Sequence, residues 1–172
     1  LALPNEIRAR VQILPIGSAA AVVRHLAARA KEPSSRPVCG FLDGDKALKK
    51  QEHVNLFLKT LEQVKDQNAA TQWIENRLGF LPGGVWPEKW VVSKHQDGAF
   101  APLAVELGVS NDTLCEFVEA ATLADKHDEL YVLSQKLNLP VTTIEGRFIK
   151  CALEKSQAEV DEITKFLKAF LP

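Results

Sequence analysis

Residues 36–47, RPVCGFLDGDKA, constrain the fold of this chain more than any other stretch. The run Val38, Cys39, Gly40, Phe41 and Leu42 meets two aspartates separated by one glycine. Such a run reads as a strand buried on both faces, so Asp43 and Asp45 fall at its carboxyl end, where open α/β sheets place their ligands. Gly44 lets the backbone turn tightly enough for both side chains to converge. Two converging carboxylates repel unless positive charge lies between them, and a hard divalent cation such as Mg²⁺ or Mn²⁺ is the usual occupant. The competing reading is a plain turn after a strand, with Asp45 capping the next helix.

The flanking residues supply an α/β context. Residues 11–16 are β-rich and are punctuated by Gly17 and Ser18, and residues 18–31 form an alanine-rich helix with Val22, Val23, Leu26, Ala27 and Ala30 on one side. After a polar loop at 32–36, the strand before Asp43 completes a strand, helix, parallel strand unit with an expected right-handed crossover. From Lys46 onward the apolar period is helical, with helices expected over 48–64, 69–78 (ending at Gly79), 100–107, 111–121, 126–137, 141–152 and 157–170. Residues 81–87, LPGGVWP, form a rigid connector, and residues 87–92 begin either a helix or a strand. The expected fold is therefore α/β: a partial, Rossmann-like parallel sheet over residues 1–50, followed by a larger, mainly α-helical region over 51–172. The internal boundary falls near 79–87, and the last helices have the option of returning to the α/β core.

With 46% hydrophobic and 25% charged residues the composition is that of a globular protein. A formal charge of −1 gives no global basic field, so any DNA contact must come from a local patch. Cys39, Cys115 and Cys151 lie far apart in apolar segments, which predicts buried thiols in a reducing compartment, hence the cytoplasm. No window resembles a membrane span and the start lacks a signal-peptide layout, so no membrane partner is expected. The absence of methionine, even at position 1, suggests a fragment of a longer chain.

Lys46, Lys49 and Lys50 follow the aspartates and are candidate contacts to a DNA phosphate backbone, or else a solvated helical face. Lys150 interrupts the apolar segment GRFIKCAL; its ammonium either snorkels to the surface or stabilises charge on a phosphate during cleavage. Glu75 and Glu88, beside tryptophan and glycine, are candidate further metal ligands. The histidines at 25, 53, 95 and 127 show no metal-ligand spacing; the first three read as surface or helix residues and His127 as a capping or packing residue. No Walker A pattern, serine-hydrolase elbow or paired-cysteine zinc module is present.

VQILPIGSAAAVVRHLAAR followed by RPVCGFLDGDKA resembles the middle of a Toprim domain, with Gly17, Asp43 and Asp45 at matching positions. ATQWIENRLGFLPGGVWPEKW, KHDELYVLSQKL and GRFIKCALEK resemble the helical region and terminal lysine segment of overcoming-lysogenization-defect (OLD) family nucleases, in which a Toprim nuclease follows an ATPase domain. The resemblance implies cleavage of DNA assisted by two Mg²⁺ or Mn²⁺ ions, with Asp43 and Asp45 holding metal and Lys150 contacting the scissile phosphate. It also implies ATP hydrolysis by a separate N-terminal ATPase domain of the same longer protein, and it leans toward a role in phage defence; homo-oligomerisation is left open.

One departure stands out. The Toprim pattern begins with a strand ending in a glutamate, and nothing before Val11 supplies it, because Glu6 is neither at a strand end nor followed by the expected glycine. Two other readings follow from the residues. Haloacid-dehalogenase-like phosphatases also carry an aspartate pair after an apolar strand, but they want a threonine two positions beyond the second aspartate, where this chain has Ala47. A helical interaction or dimerisation module on a degenerate Toprim fold is the non-catalytic alternative.

Overall fold

The computed structural model describes residues 5–32, 36–96 and 101–171. It is mixed α/β and mostly helical, with one two-stranded parallel sheet among the described residues. Two compact units divide the chain: Leu1–Gly84 with Asp161–Pro172, and Val85–Val160. No helix among the described residues is long and apolar enough to cross a membrane.

The first unit opens with a single helical turn, α1 (Asn5–Arg8), and the helix α2 (Ala19–Lys31). Ser18 starts α2 by accepting the Ala21 N–H on its hydroxyl at 3.3 Å, which satisfies one of the orphan donors of the first turn. Gly17 before it has φ +91°, a conformation that glycine adopts without a Cβ clash. Val23, Leu26 and Ala27, at helical spacing, form the buried stripe of α2.

The strand expected at residues 11–16 is not there; the segment has no regular secondary structure. β-propensity makes a strand only where a ladder partner exists, and Pro15 removes one of the donors such a ladder would use. The parallel pair is instead β1 (Gly40–Leu42) with β2 (Leu78–Phe80), in the register Gly40↔Leu78, Phe41↔Gly79, Leu42↔Phe80. The crossover between them runs through α3 (Lys50–Leu61) and α4 (Gln67–Glu75).

β2 corrects a second expectation, that residues 69–78 are helical and stop at Gly79. The helix starts on Asp66, whose carboxylate accepts the Ala69 N–H at 2.9 Å, and it ends at Glu75. Gly79 is a close-approach position and not a helix stop: a Cβ there would lie 2.7 Å from the Phe41 ring.

The core of this unit joins Val23, Leu26, Ala27, Leu42, Val54, Phe57, Ile74 and Leu78, with Trp73 stacked on Phe57 at 5.5 Å between ring centres. Because α3 packs on α2, the α/β unit runs well past residue 50, where its end was expected. Leu167 and Ile163 join Ile7, Val11, Cys39 and Phe41 in a smaller cluster, and Phe166 meets Phe41 edge-on at 5.0 Å.

The second unit is helical: α5 (Pro87–Ser93), α6 (Ala101–Leu107), α7 (Asn111–Thr122), α8 (Glu129–Leu137) and α9 (Val141–Lys155), with the start of α10 (Gln157–Lys168). Residues 87–92, undecided from sequence, are helical, with Pro87 in the first turn where its missing N–H costs nothing. The helix expected from 100 begins at Ala101, and position 100, like 33–35 of the expected polar loop, lies outside the described residues. Ser110 caps α7 through the Thr113 N–H at 3.1 Å, and Asn138, with φ +50°, ends α8 in the left-handed conformation. Leu114, Val118, Ala121, Leu133, Ile144, Phe148 and Ala152 pack the interior from the buried faces of α7, α8 and α9.

Candidate functional site

Both strands of the first unit turn at the same level. The Leu81 N–H donates to the Leu42 carbonyl at 2.8 Å, and each strand runs directly into 3₁₀ structure, Gly44–Lys49 after β1 and Pro82–Gly84 after β2. These two segments pack together beyond the carboxyl ends of the sheet. Gly83 and Gly84 sit at φ +87° and +66°, which lets the second turn stay tight.

The acidic pair lies on the first of these turns. Asp43 is half-buried with an extended backbone, its carbonyl accepts the Lys46 N–H at 3.0 Å, and its side chain makes no capping bond to the 3₁₀ helix. Asp45 lies inside that helix, not at a helix start, so it is not the cap that the turn reading requires. Its Oδ2 accepts from the Lys46 ammonium at 2.8 Å, with about a third or less of each side chain exposed.

The three lysines expected to face phosphate are all engaged by acids. Besides Lys46 with Asp45, Lys49 lies 3.8 Å from Glu52 and Lys50 lies 3.3 Å from Glu75. The last two pairs are largely exposed and hold little energy, so an approaching polyanion would compete with them; the half-buried Lys46–Asp45 pair is the firmer one.

Glu75 thus closes α4 against Lys50. Glu88 belongs to the second unit, in the first turn of α5, where it lies 3.0 Å from Nδ1 of His127. Lys150, also in the second unit, is on the exposed face of α9, away from the buried Ile144, Phe148 and Ala152, so the apolar run around it resolves into an amphipathic helix. Among the described residues no three His, Cys, Asp or Glu side chains gather to hold a metal ion. Asp43 and Asp45 therefore fit one hard cation in the type of their donors, with water filling the remaining positions and Lys46 displaced from Asp45. They do not supply the larger acidic set that two metals would need.

Some residues have different surroundings from those expected. His53, on α3, is held below the ordinary histidine value by burial first; the nearby Glu52 opposes this, and Lys46 and Lys49 add to it. Its Nε2 is buried without a hydrogen-bond partner, so a neutral imidazole stands beside the lysines of the acidic turn. The only sequence signal was its helical spacing from Lys49 and Lys46.

His95 is fully buried, not a surface residue; its Nδ1 lies 2.8 Å from the Val91 carbonyl and its ring 4.7 Å from that of Phe148. His127 sits at φ +73° before α8 and pairs with Glu88; of its two expected roles, capping or packing, the structure shows packing, its ring lying 5.9 Å from that of Trp86. The three cysteines are unbridged and half-buried, not fully buried.

Other polar features were not foreseen at all. The Trp86 indole N–H donates at 2.6 Å to Oε1 of Glu129, a carboxylate only 1% exposed, and the Lys89 and Lys126 ammonium groups each lie 4.9 Å from the Trp86 ring centre. Burial disfavours charge on Glu159, yet its surroundings, chief among them the Lys94 ammonium that donates to Oε1 at 2.6 Å, outweigh it and hold its carboxyl below the usual value.

No protein-family model, curated protein or solved structure matches the chain.

Proposed function

We propose that Asp43 and Asp45 hold a divalent cation for phosphodiester cleavage in DNA, as the nuclease part of an ATPase–nuclease chain with a partial Toprim-type core. The observation that carries this reading is the placement of both carboxylates on one turn at the carboxyl end of β1, in a parallel pair whose strands both end there. The order Gly17, α2, β1 and acidic turn, and the parallel partner β2, support the Toprim-type assignment over an unrelated turn. The bound cation, Mg²⁺ or Mn²⁺, would polarise the phosphate and lower the pKa of a water. Asp43 and Asp45 bind and orient it, Lys46 neutralises Asp45 in its absence, and the exposed Lys49 and Lys50 provide charge to phosphate.

Titrating Mn²⁺ into the chain by calorimetry tests the proposal, with heat expected from the unaltered protein and lost in Asp43→Ala and Asp45→Ala. Nicking of supercoiled DNA in Mn²⁺ should fall in parallel. Equal Mn²⁺ binding in all three proteins would refute the site.

A second reading, a non-catalytic helical interaction module, is favoured by one observation: Asp45 and the three lysines beside it are already engaged within the chain. It predicts no Mn²⁺ heat in any of these proteins.

A further inference from the structure

The Lys46–Asp45 pair joins two neighbouring residues of the acidic turn, with 2.8 Å between Nζ and Oδ2. Both belong to the 3₁₀ segment Gly44–Lys49, whose backbone fixes where each side chain starts. The ammonium is therefore tethered to the carboxylate at a high effective concentration, and any cation from solution has to displace it. The two side chains are 32% and 23% exposed, so water and salt screen this pair less than they screen Lys49–Glu52 and Lys50–Glu75.

A hard cation and an ammonium compete for the same carboxylate lone pairs, and the two positive charges repel each other within a few ångströms. Lys46 therefore leaves Asp45 when a divalent cation is held there. Its surroundings restrict where the released ammonium can go. Glu52 and Glu75 already pair with Lys49 and Lys50, and His53, near enough to feel the Lys46 charge, carries no negative charge in either protonation state. A phosphate oxygen drawn to the cation offers the negative charge that Asp45 no longer supplies.

We propose that Lys46 is a switched counter-ion: Asp45 holds it while the acidic turn is without metal, and it passes to a phosphate of the DNA strand once Asp43 and Asp45 take a divalent cation. Cation binding and strand binding are thereby coupled, each raising the affinity of the other. This role rests on the reading of Asp43 and Asp45 as a cation site, and adds to it the means by which the empty site is kept from engaging DNA through Lys46.

The parent chain, Lys46→Gln and Lys46→Arg are compared in two measurements. In calorimetric titration with Mn²⁺, Lys46→Gln should bind about tenfold more tightly than the parent, because the competing charge is gone, while Lys46→Arg, which keeps that charge, should stay near the parent. In fluorescence anisotropy with a labelled oligothymidylate, the parent and Lys46→Gln should share one slope of log affinity against log salt without Mn²⁺. With saturating Mn²⁺ the parent slope should become the steeper by about 0.7–1, the signature of one added phosphate contact. Mn²⁺ binding by Lys46→Gln no tighter than by the parent, or equal slopes with Mn²⁺ bound, would overturn the switch and leave the cation site standing. No Mn²⁺ heat in any of the three proteins would remove the site and the switch together.

Discussion

Replacing Gly79 and Gly146 by alanine, one at a time, should move stability in opposite directions. At Gly79 in β2 the new Cβ would lie 2.7, 3.0 and 3.3 Å from three carbons of the Phe41 ring, against the ordinary contact of 3.4 Å or more. Any shift of the ring disturbs its other contacts, which include Phe166 edge-on at 5.0 Å. Forcing a methyl into such a contact costs about 1–3 kcal/mol. Reduced freedom of the unfolded chain returns about 0.4–1 kcal/mol, leaving a net loss of about 1.3 kcal/mol at the middle of the two ranges.

At Gly146, inside α9, a Cβ meets nothing within 4 Å, so the helical preference of alanine should appear almost undiluted as a gain of about 1 kcal/mol. Urea denaturation followed by circular dichroism measures both shifts. Amide hydrogen exchange assigns them, with Gly79→Ala loosening β1 and β2 and Gly146→Ala tightening α9. Because β1 leads into Asp43, Gly79→Ala should also weaken Mn²⁺ binding. A Gly79→Ala protein as stable as the parent would refute the close-packing argument, and a destabilised Gly146→Ala protein would refute the open space assigned to that position.

Two further outcomes follow. His53 has its folded pKa below the unfolded value of 6.5, so its contribution to stability is present above that value and is lost as pH falls through the folded pKa; His53→Gln should flatten the melting temperature against pH below about 6.5, and an unchanged profile would show that burial of this ring is energetically idle. Trp86→Phe removes the N–H that Glu129 accepts and leaves a buried carboxylate without that donor, which should cost about 1–3 kcal/mol in chemical denaturation. Much of that loss should be restored in Trp86→Phe combined with Glu129→Leu, and no restoration would mean that lost indole packing dominates.

The acidic turn was legible because its signal is local. An apolar run that ends in Asp-Gly-Asp places both carboxylates at the end of a strand wherever that strand lies, and β1, although it covers only Gly40–Leu42 of the expected run 38–42 and leaves Phe41 half-buried, does end at them. The electrostatic state of the turn was not legible. That Lys46 would bond its own neighbour Asp45, that Lys50 would reach Glu75 from another helix, and that His53 would stand neutral beside them all depend on distances set by folding.

What the amino-acid order determined by itself is the helical content: Ser18 and Ser110 mark helix starts, and the buried stripes of α2, α7 and α9 repeat at three and four residues, because a helix closes its hydrogen bonds within one turn of chain. Only the tertiary structure decided which apolar runs became strands. A strand has no internal hydrogen bonds, so its existence depends on a partner that local pattern cannot identify. Residues 11–16, rich in β-formers, found none and stayed irregular, while Leu78–Phe80, which looked like a helix end, became β2 because Gly79 leaves room for Phe41 and both strand edges met in register.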